Sequence, residues 1–221
     1  MGNGLFITGT DTGVGKTWIS AATMKLLQAQ GQTVIGMKPI ASGCEQTSAG
    51  LRNEDALILQ QHSSIEIDYE QINPYAFAPA IAPHIAAKQA GININIQQIV
   101  ENYNVLSQQA DWIIVEGVGG WQVPLNENET IADLACALAL PVILVVGMRL
   151  GCINHALLSA ESIRQSGLKL AGWIANHVDP QMAEQKQNLL SIQQRIDAPL
   201  LGSVPCQQTL DAEHIAGWLD L

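Results

Sequence analysis

The sequence is poor in charge and poorest in positive charge: 10 Lys and Arg stand against 20 Asp and Glu in 221 residues, a formal net charge of −10. The cations form no cluster. Such a field repels polyanions, so neither nucleic acid nor an anionic membrane is expected as a partner, and an anionic ligand must be held by a few placed groups. Long apolar runs are also missing. The longest, Leu134 to Met148, is broken by Pro141 and is too short to span a bilayer, so it reads as a helix end, a turn and a buried strand. The start, Met1-Gly2-Asn3-Gly4, lacks the basic and apolar stretches of a signal peptide, which makes a cytoplasmic protein the expectation. Cysteine is sparse. Cys44, Cys136, Cys152 and Cys206 lie far apart with no CxxC spacing, and reduced buried thiols account for them better than a metal site or disulfides. Repeats, low-complexity tracts and linkers are lacking, so residues 1–221 read as one domain.

What is present is apolar: 48% of the residues against 14% charged, enough for a full core and too much for disorder. Short apolar runs alternate with helical patterns. Leu5–Ile7, Thr33–Met37, Trp112–Val115, Val142–Val146, Leu170–Ile174 and Pro199–Val204 read as buried strands. Between them, Ile19, Ala22, Leu26 and Leu27 share one helical stripe, as do Ile153, Leu157, Ala160 and Ile163. Strands apolar on both faces and separated by helices predict a mostly parallel sheet covered on both sides, with ligands beyond the carboxyl ends of its strands. Residues 39–53 read as a polar loop. Residues 62–110, rich in Asn, Gln and Pro, give only helices near 83–90 and 96–109.

The first strand runs into Gly9-Thr10-Asp11-Thr12-Gly13-Val14-Gly15-Lys16-Thr17 and then a helix. Glycines let a backbone wrap tightly and aim its N–H groups at a phosphate, and the helix N-terminus adds its positive end. Lys16 is placed to neutralise the outer phosphates and Thr17 to join a magnesium shell. The strict GxxxxGK[ST] pattern fails, because Thr10 stands at its first glycine and Gly9 lies one residue earlier. A bare Gly-Lys-Thr also arises by chance, but three glycines in seven residues between a strand and a helix argue for an α/β fold of the three-layer P-loop NTPase type.

Two acids and a lysine follow other elements. Glu116 ends the strand Trp112–Val115 ahead of Gly117-Val118-Gly119-Gly120, a place that suits a magnesium ligand or a solvated strand-end acid. Asp55, taken alone, reads as an acid at a helix N-terminus rather than a metal ligand. Lys38 ends the second strand, with Ser42 four residues on. That strand is expected next to the first, so its end should face the crevice of the cradle, where a lysine can stabilise a transferring phosphoryl group; alone it reads equally as a surface lysine.

Taken together, these segments resemble the dethiobiotin synthetase family, the ATP-dependent ring-closing enzymes of biotin synthesis. The matching stretches include Thr8-Gly9-Thr10-Asp11-Thr12 with Gly15-Lys16-Thr17, Lys38-Pro39, Gly50-Leu51-Arg52-Asn53, Asn73-Pro74-Tyr75, Val115-Glu116-Gly117, and Leu150-Gly151-Cys152-Ile153-Asn154-His155. They run from the first strand to the last. The resemblance implies a reaction in which an amine of 7,8-diaminononanoate takes up CO2 as a carbamate. The carbamate attacks the γ-phosphate of ATP, and the second amine closes a cyclic urea, releasing phosphate. It implies Mg2+ on Thr17, Asp55 and Glu116, which reverses the reading of Asp55 taken alone. Lys16 and Lys38 become the catalytic lysines, and Thr12, Lys38 and Ser42 contact substrate.

The nucleotide would lie on Gly13, Val14, Gly15, Lys16 and Thr17, with Asp55, Glu116, Gly117, Val118 and Gly119 beside it, the adenine on Asn176 and His177, and a second loop at Pro205, Cys206 and Gln207. Leu150, Gly151, Cys152 and Asn154 would hold a carboxylate of the partner subunit's substrate, implying a homodimer with sites at the subunit interface and a Cys152 that acts through its backbone. Three positions depart from the family: Gly13 where many members carry an acid, His177 where Asp is common, and Cys206 where Trp often stands. The segment from Thr209 onward aligns poorly, and no residue there is assigned a role. A partitioning or septum-placement ATPase would carry a lysine five residues before Lys16, where this chain has Asp11. A cobyrinic-acid-type amidotransferase would need a further glutaminase domain. A regulatory module that had lost its chemistry would not be expected to keep Lys16, Thr17, Lys38, Asp55 and Glu116 together.

Overall fold

The computed structural model describes residues 2–207 and 209–221. The chain opens with β1 (Asn3–Gly9), α1 (Lys16–Ala29) and β2 (Val34–Met37), followed by three short strands, β3 (Ile40–Ser42), β4 (Glu45–Thr47) and β5 (Gly50–Arg52). Next come α2 (Glu54–His62), α3 (Tyr69–Ile72), β6 (Tyr75–Phe77), α4 (Pro83–Ala90) and α5 (Ile96–Leu106). The remainder alternates regularly: β7 (Trp112–Glu116), α6 (Ile131–Leu138), β8 (Val142–Gly147), α7 (Cys152–Gln165), β9 (Leu170–Asn176), α8 (Gln185–Gln193), β10 (Leu200–Val204) and α9 (Ala212–Ala216).

Six strands form one sheet in the order β10-β9-β8-β1-β7-β2, with every pairing parallel. Its side chains divide by the two-residue period of a strand. Phe6, Ile113, Val115, Val142, Leu144, Val146 and Trp173 face one core, which α5, α6 and α7 cover through Ile99, Leu106, Leu134, Ala156 and Ile163. Ile7, Ile114, Ile143, Val145 and Ile174 face the other, covered by α1 and α9 through Ile19, Ala22, Met24 and Ile215. Both faces are dry, which is why these strands read as unbroken apolar runs. No helix among the described residues is long and apolar enough to cross a membrane.

Two expectations need correction. β2 does not lie beside β1: β7 pairs with both and stands between them. Parallel neighbours need a crossover connection, and here the third of the sheet's six strands in chain order fills the gap. Residues 39–53 are also not a plain loop. β3 pairs with β6 in a small parallel sheet, and β4 and β5 form a hairpin. The three-residue strands are too short to show a period, and β4 is exposed throughout. At the boundaries, β2 begins at Val34, β10 at Leu200, and α5 ends at Leu106, where Ser107 N–H bonds back to the Tyr103 carbonyl.

Candidate active site

The carboxyl ends of β1, β7 and β2 open side by side, and each delivers one charged group. After β1 the backbone turns with Gly13 at φ 72° and Gly15 at φ 87°, left-handed values that glycine adopts without strain, and Gly15 leads into α1. Lys16, at the first position of α1, is 6% exposed, and its ammonium donates to the Asp11 carbonyl at 2.9 Å across the loop. Burial, then the neighbouring Lys38 charge, push its pKa down to about 8.

β7 brings Glu116, 1% exposed, between the two lysine-bearing segments. Its Oε1 accepts from the Thr17 hydroxyl at 3.0 Å and from the Lys38 ammonium. Lys38 follows β2 and also donates to Asp55 Oδ2 at 3.0 Å and to the Gly117 carbonyl at 3.2 Å, using all three of its donors. Burial alone would lower the Lys38 pKa, but Glu116 and Asp55 more than offset it and hold the ammonium above the usual lysine range. Burial would raise Asp55, and Lys38 with the Thr17 hydroxyl outweighs it, leaving the carboxyl below its usual range. Asp55 stands in the first turn of α2, whose cap is Asn53: the Asn53 side chain accepts from Ala56 N–H at 3.3 Å.

The other oxygen of Glu116, Oε2, is buried and has no hydrogen-bond partner. An unpartnered carboxylate oxygen beside a hydroxyl and a second carboxylate is an all-oxygen donor set of the kind a hard divalent cation takes. Among the described residues no three His, Cys, Asp or Glu cluster together. Such an ion would therefore need phosphate and water oxygens to complete its shell, as magnesium usually does in nucleotide sites.

A cavity of about 730 Å³ joins these groups. Thr12, Gly13, Gly15, Lys16 and Thr17 line one side, and Lys38, Ser42, Asp55, Glu116, Val118 and Gly119 another. Ser42 Oγ is buried without a partner. Val14 and Gly117 are not in the lining; Val14 is buried beneath the loop, and the Gly117 carbonyl binds Lys38. The sequence did not point to the apolar wall of Ile58, Ile81, Ala82 and Pro83, because such residues carry no signature of their own. Leu210 also reaches the cavity, from the segment in which no role was assigned.

The remaining expected residues lie in two other places. Asn176 ends β9 and its amide donates to the Val14 carbonyl at 2.8 Å, under the loop. His177 Nε2 lies 3.1 Å from Ser203 Oγ, and burial lowers the ring's pKa. Pro205 accepts from the Gln207 side chain at 3.1 Å, and Cys206 is exposed. Leu150, Gly151, Cys152 and Asn154 surround the start of α7 and line no part of this cavity. Leu150 is 94% exposed, whereas Cys152 is buried and its thiol held protonated by that burial. One unforeseen contact links the two regions: Arg149, just before that turn, pairs with Asp11 of the phosphate loop.

Comparisons with known proteins bear on the family and the fold. A family model described as an AAA domain matches residues 3–214. The ATP-dependent dethiobiotin synthetase of Pseudomonas aeruginosa is 52% identical over 217 residues, covering 98% of this chain and 95% of that one. That of Nitrosospira multiformis is 51% identical over 221 residues, covering 100% and 96%. Among solved structures, the septum site-determining protein MinD of Pyrococcus horikoshii, complexed with Mg-ADP, superposes with a TM-score of 0.58 at 15% identity, covering 99% of this chain and 87% of that one. A ParA family ATPase of Chlorobium tepidum gives 0.59 at 12%, covering 94% and 86%. The distant structures share the P-loop fold, and the near relatives share half of all residues end to end: this chain belongs to the dethiobiotin synthetase family.

Proposed function

We propose that the protein is an ATP-dependent dethiobiotin synthetase that closes the cyclic urea of dethiobiotin from 7,8-diaminononanoate and CO2 through a phosphorylated carbamate. The observation that carries the reading is the pair of buried ammonium ions, Lys16 and Lys38, turned toward one cavity with Glu116 between them. Two fixed cations converging from different elements suit a reaction in which negative charge moves from a carboxylate-like nucleophile to a leaving phosphate.

The wall of Ile58, Ile81 and Pro83 suits the methylene chain of the diamine, and Thr12 and Ser42 offer hydroxyls for its amine end. One amine takes up CO2 and loses a proton, giving the carbamate. Lys38, which stays protonated at any working pH, serves as a charge donor to the carbamate oxygen rather than as a base. The phosphate loop and Lys16 hold the γ-phosphate in line with that oxygen. Attack breaks the bond to the β-phosphate and yields a carbamic–phosphoric anhydride and ADP. The second amine then adds to the carbamoyl carbon, loses a proton and expels phosphate.

Thr17, Asp55 and Glu116 are the residues that would hold Mg2+, which when bound supplies positive charge to the β- and γ-phosphates. Asn176 and the loop from Pro205 to Gln207 flank the nucleotide end. The exposed turn at Leu150 belongs to a dimer in which it meets the partner's substrate carboxylate, and a cytoplasmic location completes the reading. Phosphate release measured with ATP, Mg2+ and bicarbonate should depend on the diamine, and release that is unchanged without it would sink the assignment.

A further inference from the structure

Between α2 and β6 runs a chain of buried polar contacts that ends on the Lys38 backbone at one side and on Asn53, two residues before Asp55, at the other, and has no part in the steps above. The N–H of Asn53, the cap of α2, donates to Tyr69 Oη at 2.7 Å. Tyr69 Oη donates to Asn73 Oδ1 at 3.0 Å. The Asn73 amide donates in turn to the Lys38 carbonyl at 2.7 Å and to the Tyr75 carbonyl at 3.3 Å, while Lys38 N–H donates to the Ile72 carbonyl at 2.9 Å. Asn53, Tyr69, Asn73 and Lys38 are 8%, 6%, 3% and 3% exposed, so each link is shielded from competing water. Among the described residues, none of these side chains leaves a buried polar atom unpartnered.

We propose that Tyr69 and Asn73 are positioning residues, which tie the N-terminus of α2, and with it Asp55, to the backbone of Lys38 so that the ammonium is held against Asp55 at the cavity wall. The physical need is plain. Asp55 and Lys38 sit on separate elements, and their mutual attraction rises steeply as they approach, but attraction alone does not fix a separation. The Asn53–Tyr69–Asn73 chain sets that separation through backbone groups at both ends. The Tyr69 ring is kept in place independently by the Arg52 guanidinium, 4.0 Å above its centre, which is itself bonded to Glu70 and to the Leu51 carbonyl. Tyr69→Phe therefore removes one oxygen and leaves the wall standing, with the Asn53 N–H and Asn73 Oδ1 deprived of a partner.

The consequence for turnover rests on the synthetase reading, whereas the ion pair can be observed without any reaction. Crystal structures of the wild-type protein and of Tyr69→Phe give the separation of Lys38 Nζ from Asp55 Oδ2, beside steady-state phosphate release. That separation, 3.0 Å with the chain intact, should lengthen in Tyr69→Phe. kcat should fall about tenfold, the loss expected when a buried donor and acceptor are left unpaired, with KM for ATP changed less than about twofold. Combined with Asp55→Asn, the tyrosine change should cost little more than Asp55→Asn alone, because both act through one pair.

An unchanged Lys38–Asp55 separation would overturn the proposal whatever happens to kcat, as would a loss that multiplies fully with that of Asp55→Asn. If Tyr69→Phe fails to fold, Asn73→Ala breaks the chain one link later and is held to the same outcomes. Should the wild-type protein turn over no diamine while the lengthened separation is found, the synthetase reading falls and the positioning role stands.

Discussion

Lys16 is held in tension with its surroundings. Its folded pKa, about 8, lies below the 10.5 of a free lysine, so the fold disfavours its charged form. The folded chain binds fewer protons than the unfolded one between these values, and stability rises with pH across that window. Removing the charge should therefore stabilise the empty protein: Lys16→Met is expected to gain up to about 3 kcal/mol at pH 7, shrinking toward pH 10.5, in denaturant titrations. The same variant should lose at least about 100-fold in kcat, the usual scale for one electrostatic donor, while keeping its folded spectrum. Phosphate charge reverses the balance at Lys16 by favouring the ammonium. ATP binding near pH 9 should take up a proton in the wild-type protein and none in Lys16→Met, read from calorimetry in buffers of different ionisation enthalpy. Equal uptake by both would place the proton elsewhere. The lysine was legible from its neighbours in the sequence. Asp55 was not, because an acid after Asn53 also makes an ordinary helix start; only family resemblance gave it a role, at the magnesium site, and its pairing with Lys38 at 3.0 Å came from the structure alone.

In the phosphate loop, two glycines with similar backbone angles do different work. A side chain at Gly13 would meet nothing within 4 Å, whereas one at Gly15 would collide with the Asn176 amide. Gly13→Ala should thus cost only its left-handed backbone, about 1 kcal/mol, and leave turnover near normal. Gly15→Ala should cost several times more and loosen the nucleotide, since Asn176 must move away from the Val14 carbonyl. Thermal melts with and without ATP separate the two cases. The long parallel strands were readable because both faces are largely buried and most of their residues are apolar. Two features were not. The place of β7 between β1 and β2 depends on crossover connections that leave no local trace, and the three-residue strands β3, β4 and β5 are shorter than any period that could announce them. That hidden order matters for function, because it is what sets Glu116 between the two lysines.

For the molecule as a whole, the cavity and the turn at Gly151 stand apart on one chain, and the resemblance gives that turn to the partner subunit's substrate rather than to its own. Leu150 before α7 and Leu158 on it are 94% and 63% exposed. Sedimentation should show a dimer, and Leu158→Glu should shift it toward monomer with a parallel loss of diamine turnover; a fully active monomer would remove the shared-site reading. If a carbamate oxygen attacks the γ-phosphate, oxygen labelling follows that atom directly. With ATP, Mg2+, the diamine and 18O-labelled bicarbonate, each phosphate released should carry one labelled oxygen, in step with the cyclic urea formed. Phosphate that carries oxygen from water instead, while the urea still accumulates, would contradict it.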